Sequence, residues 1–183
     1  FNVGESKTIL KTTSIIKHNT GSDSSSGISM LPMKDLELDG ESCIQLKKIF
    51  INGNELINND NEKSDSDRID YIIDKKNEKL IIKSHMIPPT DFKLDIIVEL
   101  KPNENTALAG LYSTKSHLLC TQCEALGFRR ITYHLDRPDI LSKYKVILQG
   151  KKKIYPQLLS NGNLIEKGDI FVPNGSNGDD EHE

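Results

Sequence analysis

The 183 residues carry 24 Lys and Arg against 27 Asp and Glu, a formal net charge of −3. Proteins that bind nucleic acid concentrate positive charge, so this near-balance argues against such a partner. No apolar run approaches the ~20 residues of a transmembrane helix, and residues 1–5 lack the basic-then-apolar pattern of a secretory leader. Three cysteines, Cys43, Cys120 and Cys123, are too few and too odd for a disulfide framework. A reducing, cytoplasmic setting without membrane association is therefore expected. Apolar residues make up 36% and there is no Trp; that suffices for one core if some stretches are loop. The chain does not begin with Met and is expected to be a processed or excised piece. Arginine is scarce: of Arg68, Arg129, Arg130 and Arg137, three fall between 129 and 137.

The first hundred residues read as strands and turns. Residues 7–17 are rich in Thr and Ile, which fit a pleated, half-buried surface. The serine-rich stretch 20–28 reads as a mobile loop. Between 36 and 50 the apolar residues Leu36, Leu38, Ile44, Leu46 and Ile49 come mostly at even spacing, as in strands with one wet face. Asn52 and Gly53 then supply the positive-φ pair of a tight hairpin. The polar stretch 58–68 is expected to be mobile. A second hairpin is predicted from 70–74 and 79–85 around a turn at 75–78. Pro88 and Pro89 end it, and 92–100 alternates as another strand.

Further on the pattern changes. Residues 118–127 lack strand alternation, and Thr121 is a candidate helix cap; a short helical segment is expected near 121–143. A strand is predicted over 144–148, and a hairpin over 158–165 on Asn161-Gly162. The tail, 173–183, has nothing to bury and reads as flexible. The expected domain is a single one, 1–172, of all-β class.

Cys120 and Cys123 form a CxxC, which reads as half a zinc site or a redox pair. Cys43 stands alone, and His117 and His134 lack paired spacing, so two small, partly buried thiols are the preferred reading. His18, His85, His117, His134 and His182 form no metal-binding motif. The acidic tail end 179–183 reads as solvated charge, and the run Lys151–Lys153 as a solvated hairpin flank. The stretch 121–139 differs. It packs Gln122, Glu124, Arg129, Arg130, Asp136 and Arg137 among Phe128 and Tyr133. Arginine forks pair with carboxylates and carbonyls, so Arg129, Arg130, Asp136 and Arg137 are assigned structural roles in an ion-paired turn. Glu124 and Gln122 form an acceptor pair that a loop can present to a ligand.

The string TQCEALGFRRITYHLDRPD at 121–139 closely resembles the aminopeptidase N family of zinc metallopeptidases, in its bacterial alanyl-aminopeptidase branch, which also occurs in protozoan parasites. The residues AGLY at 109–112 and YPQLLSNGN at 155–163 resemble the same branch; the strong similarity covers about 109–168. The resemblance implies a saddle-shaped β-sandwich N-terminal domain beside the catalytic domain of the same polypeptide. It implies that Glu124 binds the free α-amino group of a peptide substrate and that Gln122 contacts its first residue. It also implies metal-free cysteines at Cys120 and Cys123, and at His134 a position more often Tyr or Phe. The family's zinc-binding HExxH is absent from this sequence. The resemblance thus implies that the zinc ligands and catalytic residues lie outside these residues, that the domain's first and last strands are missing, and that this piece alone is inactive. The alternative reading is a non-catalytic β-sandwich that binds a protein partner.

Overall fold

Apolar alternation decides the architecture. In the computed structural model, residues 1–18, 33–58 and 69–170 are described. The central strand, Phe92–Leu100, places Phe92, Leu94, Ile96, Val98 and Leu100 on one face, each at most 4% exposed. Taken in chain order with its neighbours it is β7. Before it come β1 (Thr8–Ile16), β2 (Leu36–Asp39), β3 (Gln45–Ile51), β4 (Asn54–Glu55), β5 (Tyr71–Asp74) and β6 (Lys79–Ile82); after it come β8 (Gly110–Ser113) and β9 (Leu119–Gln122).

All strand pairs are antiparallel. One sheet runs β1-β7-β3-β4, a second β2-β6-β5, and β8 pairs with β9. The inner faces of the two larger sheets meet in one apolar core. Leu38, Leu80 and Ile82 come from the second sheet, and Ile49, Ile96 and Val98 from the first. Among the described residues strands dominate and the helical elements are short 3₁₀ turns, so the chain is all-β, as its sequence predicts.

The two predicted hairpins of the first hundred residues form. Asn52 (φ 50°) and Gly53 (φ 87°) make the turn that pairs Phe50 with Glu55. In the β5–β6 turn the Asp74 Oδ1 accepts the amides of Lys76 and Asn77, a local side-chain closure of the chain reversal. The predicted stretch 36–50 is split in two by a turn in which the Ile44 amide reaches the Glu41 carbonyl.

The second half departs from expectation. The helical segment near 121–143 is reduced to one 3₁₀ turn, Phe128–Arg130. Thr121 caps no helix, because pairing with Leu111 takes it into β9. Residues 139–143 contribute a single turn, closed by the Ile140 amide on the Arg137 carbonyl. Residues 144–148 and 158–165 form no strands. Alternation supplies a strand with a face, but a ladder needs a partner, and among the described residues only the N-terminal segment provides one. There the Val3 amide bonds to the Gln149 carbonyl and the Gln149 amide to the Phe1 carbonyl, both at 2.8 Å. The rest runs uncovered, leaving Leu141 92%, Leu159 86% and Ile165 82% exposed. Lys151 and its neighbours lie on an exposed turn and flank no hairpin. The loop over 20–28, nearly all of the stretch 58–68, and the tail 173–183 lie outside the described residues.

Candidate functional site

The stretch 121–139 begins in β9, paired to β8, and returns to dock against the second sheet. Residues 133–136 extend the edge of the second sheet: the Asp39 amide reaches the His134 carbonyl at 2.7 Å, and the His134 amide the Asp39 carbonyl at 3.0 Å. The Tyr133 ring packs against Gly40, where a β-carbon would fall 2.1 Å from a ring atom, so only glycine fits there. Ile131, Thr132 and Tyr133 are each at most 5% exposed and anchor the segment in the core.

The ion pairs are laid over this docking. The Arg129 Nε donates to Asp136 Oδ2 at 2.9 Å, and the other end of the fork to the Asp136 carbonyl at 2.9 Å. Its guanidinium also lies 3.8 Å from Asp39. Asp39 in turn takes Lys79 Nζ at 2.5 Å and the Asp136 amide at 3.1 Å. Burial alone would raise the Asp39 pKa, yet Lys79, the Asp136 amide and Arg129 together hold it below the usual carboxylate value. The bond to Asp136 raises the pKa of Arg129. Arg130 pairs with Glu41 and donates to the Ala109 carbonyl at 3.1 Å. Arg137 stands apart, exposed and paired with exposed Asp139 at 3.1 Å. Two of the three clustered arginines therefore tie the segment to residues far away in the chain, Arg129 to Asp39 of β2 and Arg130 to Glu41 and Ala109, and the third makes a local surface contact.

Between these anchors lies a short loop. β9 ends at Gln122, and the chain turns back so that the Gly127 amide bonds to the Cys123 carbonyl at 2.8 Å. The Glu124–Ala125 peptide is cis. Gln122 and Glu124 are both exposed on this loop, and the Gln122 amide lies 3.4 Å from the Glu124 backbone carbonyl. Among the described residues, no hydrogen bond or ion pair engages the Glu124 carboxylate. The neighbouring carboxylates Asp39, Glu41 and Asp136 are all paired.

The cysteines do not build a reactive centre. Cys120 sits in β9 opposite Tyr112, and burial raises the Cys123 thiol, with nearby Asp136 adding to the effect. All three cysteines are free. Among the described residues, no group of three His, Cys, Asp or Glu is placed to hold a metal ion. The side chains of the described residues therefore do not fit a zinc ion.

Residues 33–176 match the Peptidase M1 N-terminal domain. The chain belongs to that family. This M1 N-terminal domain is 48% identical over 96 residues to aminopeptidase N of Escherichia coli, covering 52% of this chain and 11% of that protein. It is 51% identical over 80 residues to aminopeptidase N of Haemophilus influenzae, covering 44% of this chain and 9% of that one. Among solved structures, an aminopeptidase A of Legionella pneumophila in complex with aspartic acid matches with TM-score 0.66 and 34% identity, over 92% of this chain and 17% of that chain. The M1 N-terminal domain thus spans only about a tenth of the length of the curated relatives.

Asp39, Glu41 and Lys79 are the members of this network that the sequence did not single out. They lie 40 to 97 positions from their partners; the register of β2 against β6 sets Asp39 opposite Lys79, and the turn after β2 carries Glu41 to Arg130.

Proposed function

We propose that this domain belongs to a longer zinc aminopeptidase that releases N-terminal amino acids from peptides, and that its loop 122–127 anchors the substrate's α-amino group. Membership of the M1 family supports the peptidase class, as do the relatives named aminopeptidase. The observation that carries the site is the exposed Glu124 carboxylate, which has no partner among the described residues, while Asp136 and Glu41 are paired with Arg129 and Arg130 just beyond its loop. A carboxylate facing an ammonium favours a free N-terminus over an interior peptide. It also fixes how far the first peptide bond lies from that anchor, and so selects removal of one residue at a time. Gln122, two residues earlier on the same loop, would hydrogen-bond the first residue. That the Legionella relative is solved with a free amino acid accords with this reading.

The zinc ligands would come from elsewhere in the polypeptide, and this domain alone would be inactive. The uncovered apolar strip from Leu141 to Ile170 supports contact with the catalytic part of the same chain, since so many exposed aliphatic side chains in one stretch mark a surface that is normally covered. A cytoplasmic location is part of the same proposal.

The test uses the full-length protein and two substrates, an alanyl peptide and its N-acetylated form. Wild type is expected to cleave only the free-amino form. Glu124→Ala should lower kcat/KM on it roughly ten- to a hundredfold, as expected for loss of a charge-assisted hydrogen bond. An unchanged kcat/KM would remove Glu124 from the site. Absence of any peptidase activity in the full-length protein would favour the non-catalytic, partner-binding reading.

A further inference from the structure

The loop bearing Glu124 has little to hold it from within. Glu124, Ala125 and Leu126 are all exposed, and the closing contact is the Gly127 amide on the Cys123 carbonyl. The aim of the carboxylate is therefore set by the two ends of the loop. The first end is β9, paired to β8. The second is the 3₁₀ turn Phe128–Arg130, which Arg130 ties to Glu41 and Ala109 and Arg129 ties to the second sheet.

Arg129 makes this tie in three directions. Its backbone amide and its Nε both reach Asp136 Oδ2, at 3.2 and 2.9 Å, which locks the turn to the returning segment 133–136. Its carbonyl accepts the Glu41 amide at 3.0 Å, and its guanidinium faces Asp39. Asp136 is bonded to Asp39 as well, and Asp39 to Lys79. The loop's exit is thus fixed against β2 and β6 of the second sheet. The same contacts occupy the guanidinium, so this cation, five positions from Glu124, is already matched by carboxylates and does not compete with a ligand's ammonium.

We propose that Arg129, acting through Asp136 and Asp39, is a positioning residue for Glu124: it fixes the loop exit and keeps the carboxylate free for an amino group. This rests on the reading of Glu124 as the amino-group anchor. A displaced anchor some way from the reacting bond costs up to about a hundredfold in rate. The effect of Arg129 should therefore depend on Glu124 being present.

The test is a double-mutant cycle in the full-length enzyme with Glu124→Ala, Arg129→Met and both together. Arg129→Met is expected to lower kcat/KM on an alanyl peptide roughly tenfold, mainly through a higher KM, and by less than about twofold when Glu124 is already Ala. Asp136→Asn should act in the same direction and serves if Arg129→Met does not fold. Arg129→Lys, which keeps the charge but not the fork, should restore part of the loss. Equal fold losses in both Glu124 backgrounds would overturn the proposal while leaving Glu124 as anchor. No effect of Glu124→Ala by itself would overturn the anchor reading and this proposal with it.

Discussion

Asp39 stands directly opposite Lys79 in the β2–β6 register, with Nζ 2.5 Å from Oδ1, and the other oxygen of the same carboxylate receives the amide of Asp136. One buried side chain thereby joins a strand pair to the segment that carries the candidate site. Asp39→Asn keeps an acceptor for the Asp136 amide but loses the charge matched to Lys79 and Arg129. It should destabilise the domain by about 1–3 kcal/mol, measured by urea unfolding. The depressed pKa adds a pH signature. A carboxyl held below its unfolded value of 3.8 contributes stability that is full above that value and is lost as the pH falls through the lower, folded value. The variant should lack that part of the acid transition.

His134 gives a second, separate pH dependence. Its ring meets Phe128 edge-on at 4.9 Å, and Nε2 lies 3.3 Å from the Tyr144 hydroxyl. Burial lowers its pKa, against the opposing pull of Asp136 and Asp39. The unfolded imidazole takes up a proton near 6.5 and the folded one only at lower pH, so stability is full above 6.5 and declines as the pH drops below it. His134→Phe should flatten this slope between 6.5 and the Asp39 transition. Hydrogen exchange of the 133–136 amides at several pH values reads it directly.

Gly127 tests the loop itself. A β-carbon there would lie 2.8 Å from the Gln122 carbonyl oxygen and 2.9 Å from the Cys123 Cα, both backbone atoms that cannot step aside. Gly127→Ala must therefore move the turn that bears Glu124. In the full-length enzyme KM for free-amino peptides should rise roughly tenfold with little change in unfolding midpoint, the signature of a misplaced contact.

Leu80 provides the core control. It is fully buried in β6, and Leu80→Ala leaves a cavity at the junction of the two larger sheets. A loss of about 2–5 kcal/mol in unfolding free energy is expected.

The parts of this fold that depend on near neighbours were legible in the sequence. Asn52-Gly53 specified its hairpin because both residues accept positive φ, and β7 declared its buried face through five alternating apolar residues. Arg129 and Arg130 stood out as a cluster, but their partners Asp39 and Glu41 did not. Those contacts exist only after nonadjacent strands have found their register. The strand predicted at 144–148 failed for the converse reason: its pattern was right for a sheet, yet the described residues offer backbone partners only from residues 1–3, at Ile147 and Gln149. Gln122 and Glu124 were picked out by residue type and resemblance, whereas the absence of a partner for Glu124 became visible only in three dimensions.

The bond between the Gln149 amide and the Phe1 carbonyl has a kinetic meaning as well. Together with the Phe1 nitrogen on the Ile147 carbonyl, it closes a loop 146 positions long, whereas the outer pair of the β3–β4 hairpin, Phe50 and Glu55, lies within one short turn. The entropy of such a closure grows only logarithmically with length, but the search for it is slow. The hairpins and the β1–β7 pair should be in place before residues 1–3 capture 147–149. The stretch beyond Pro138 would then be the last to settle during folding and, under mild denaturant, the first to exchange its amides with water.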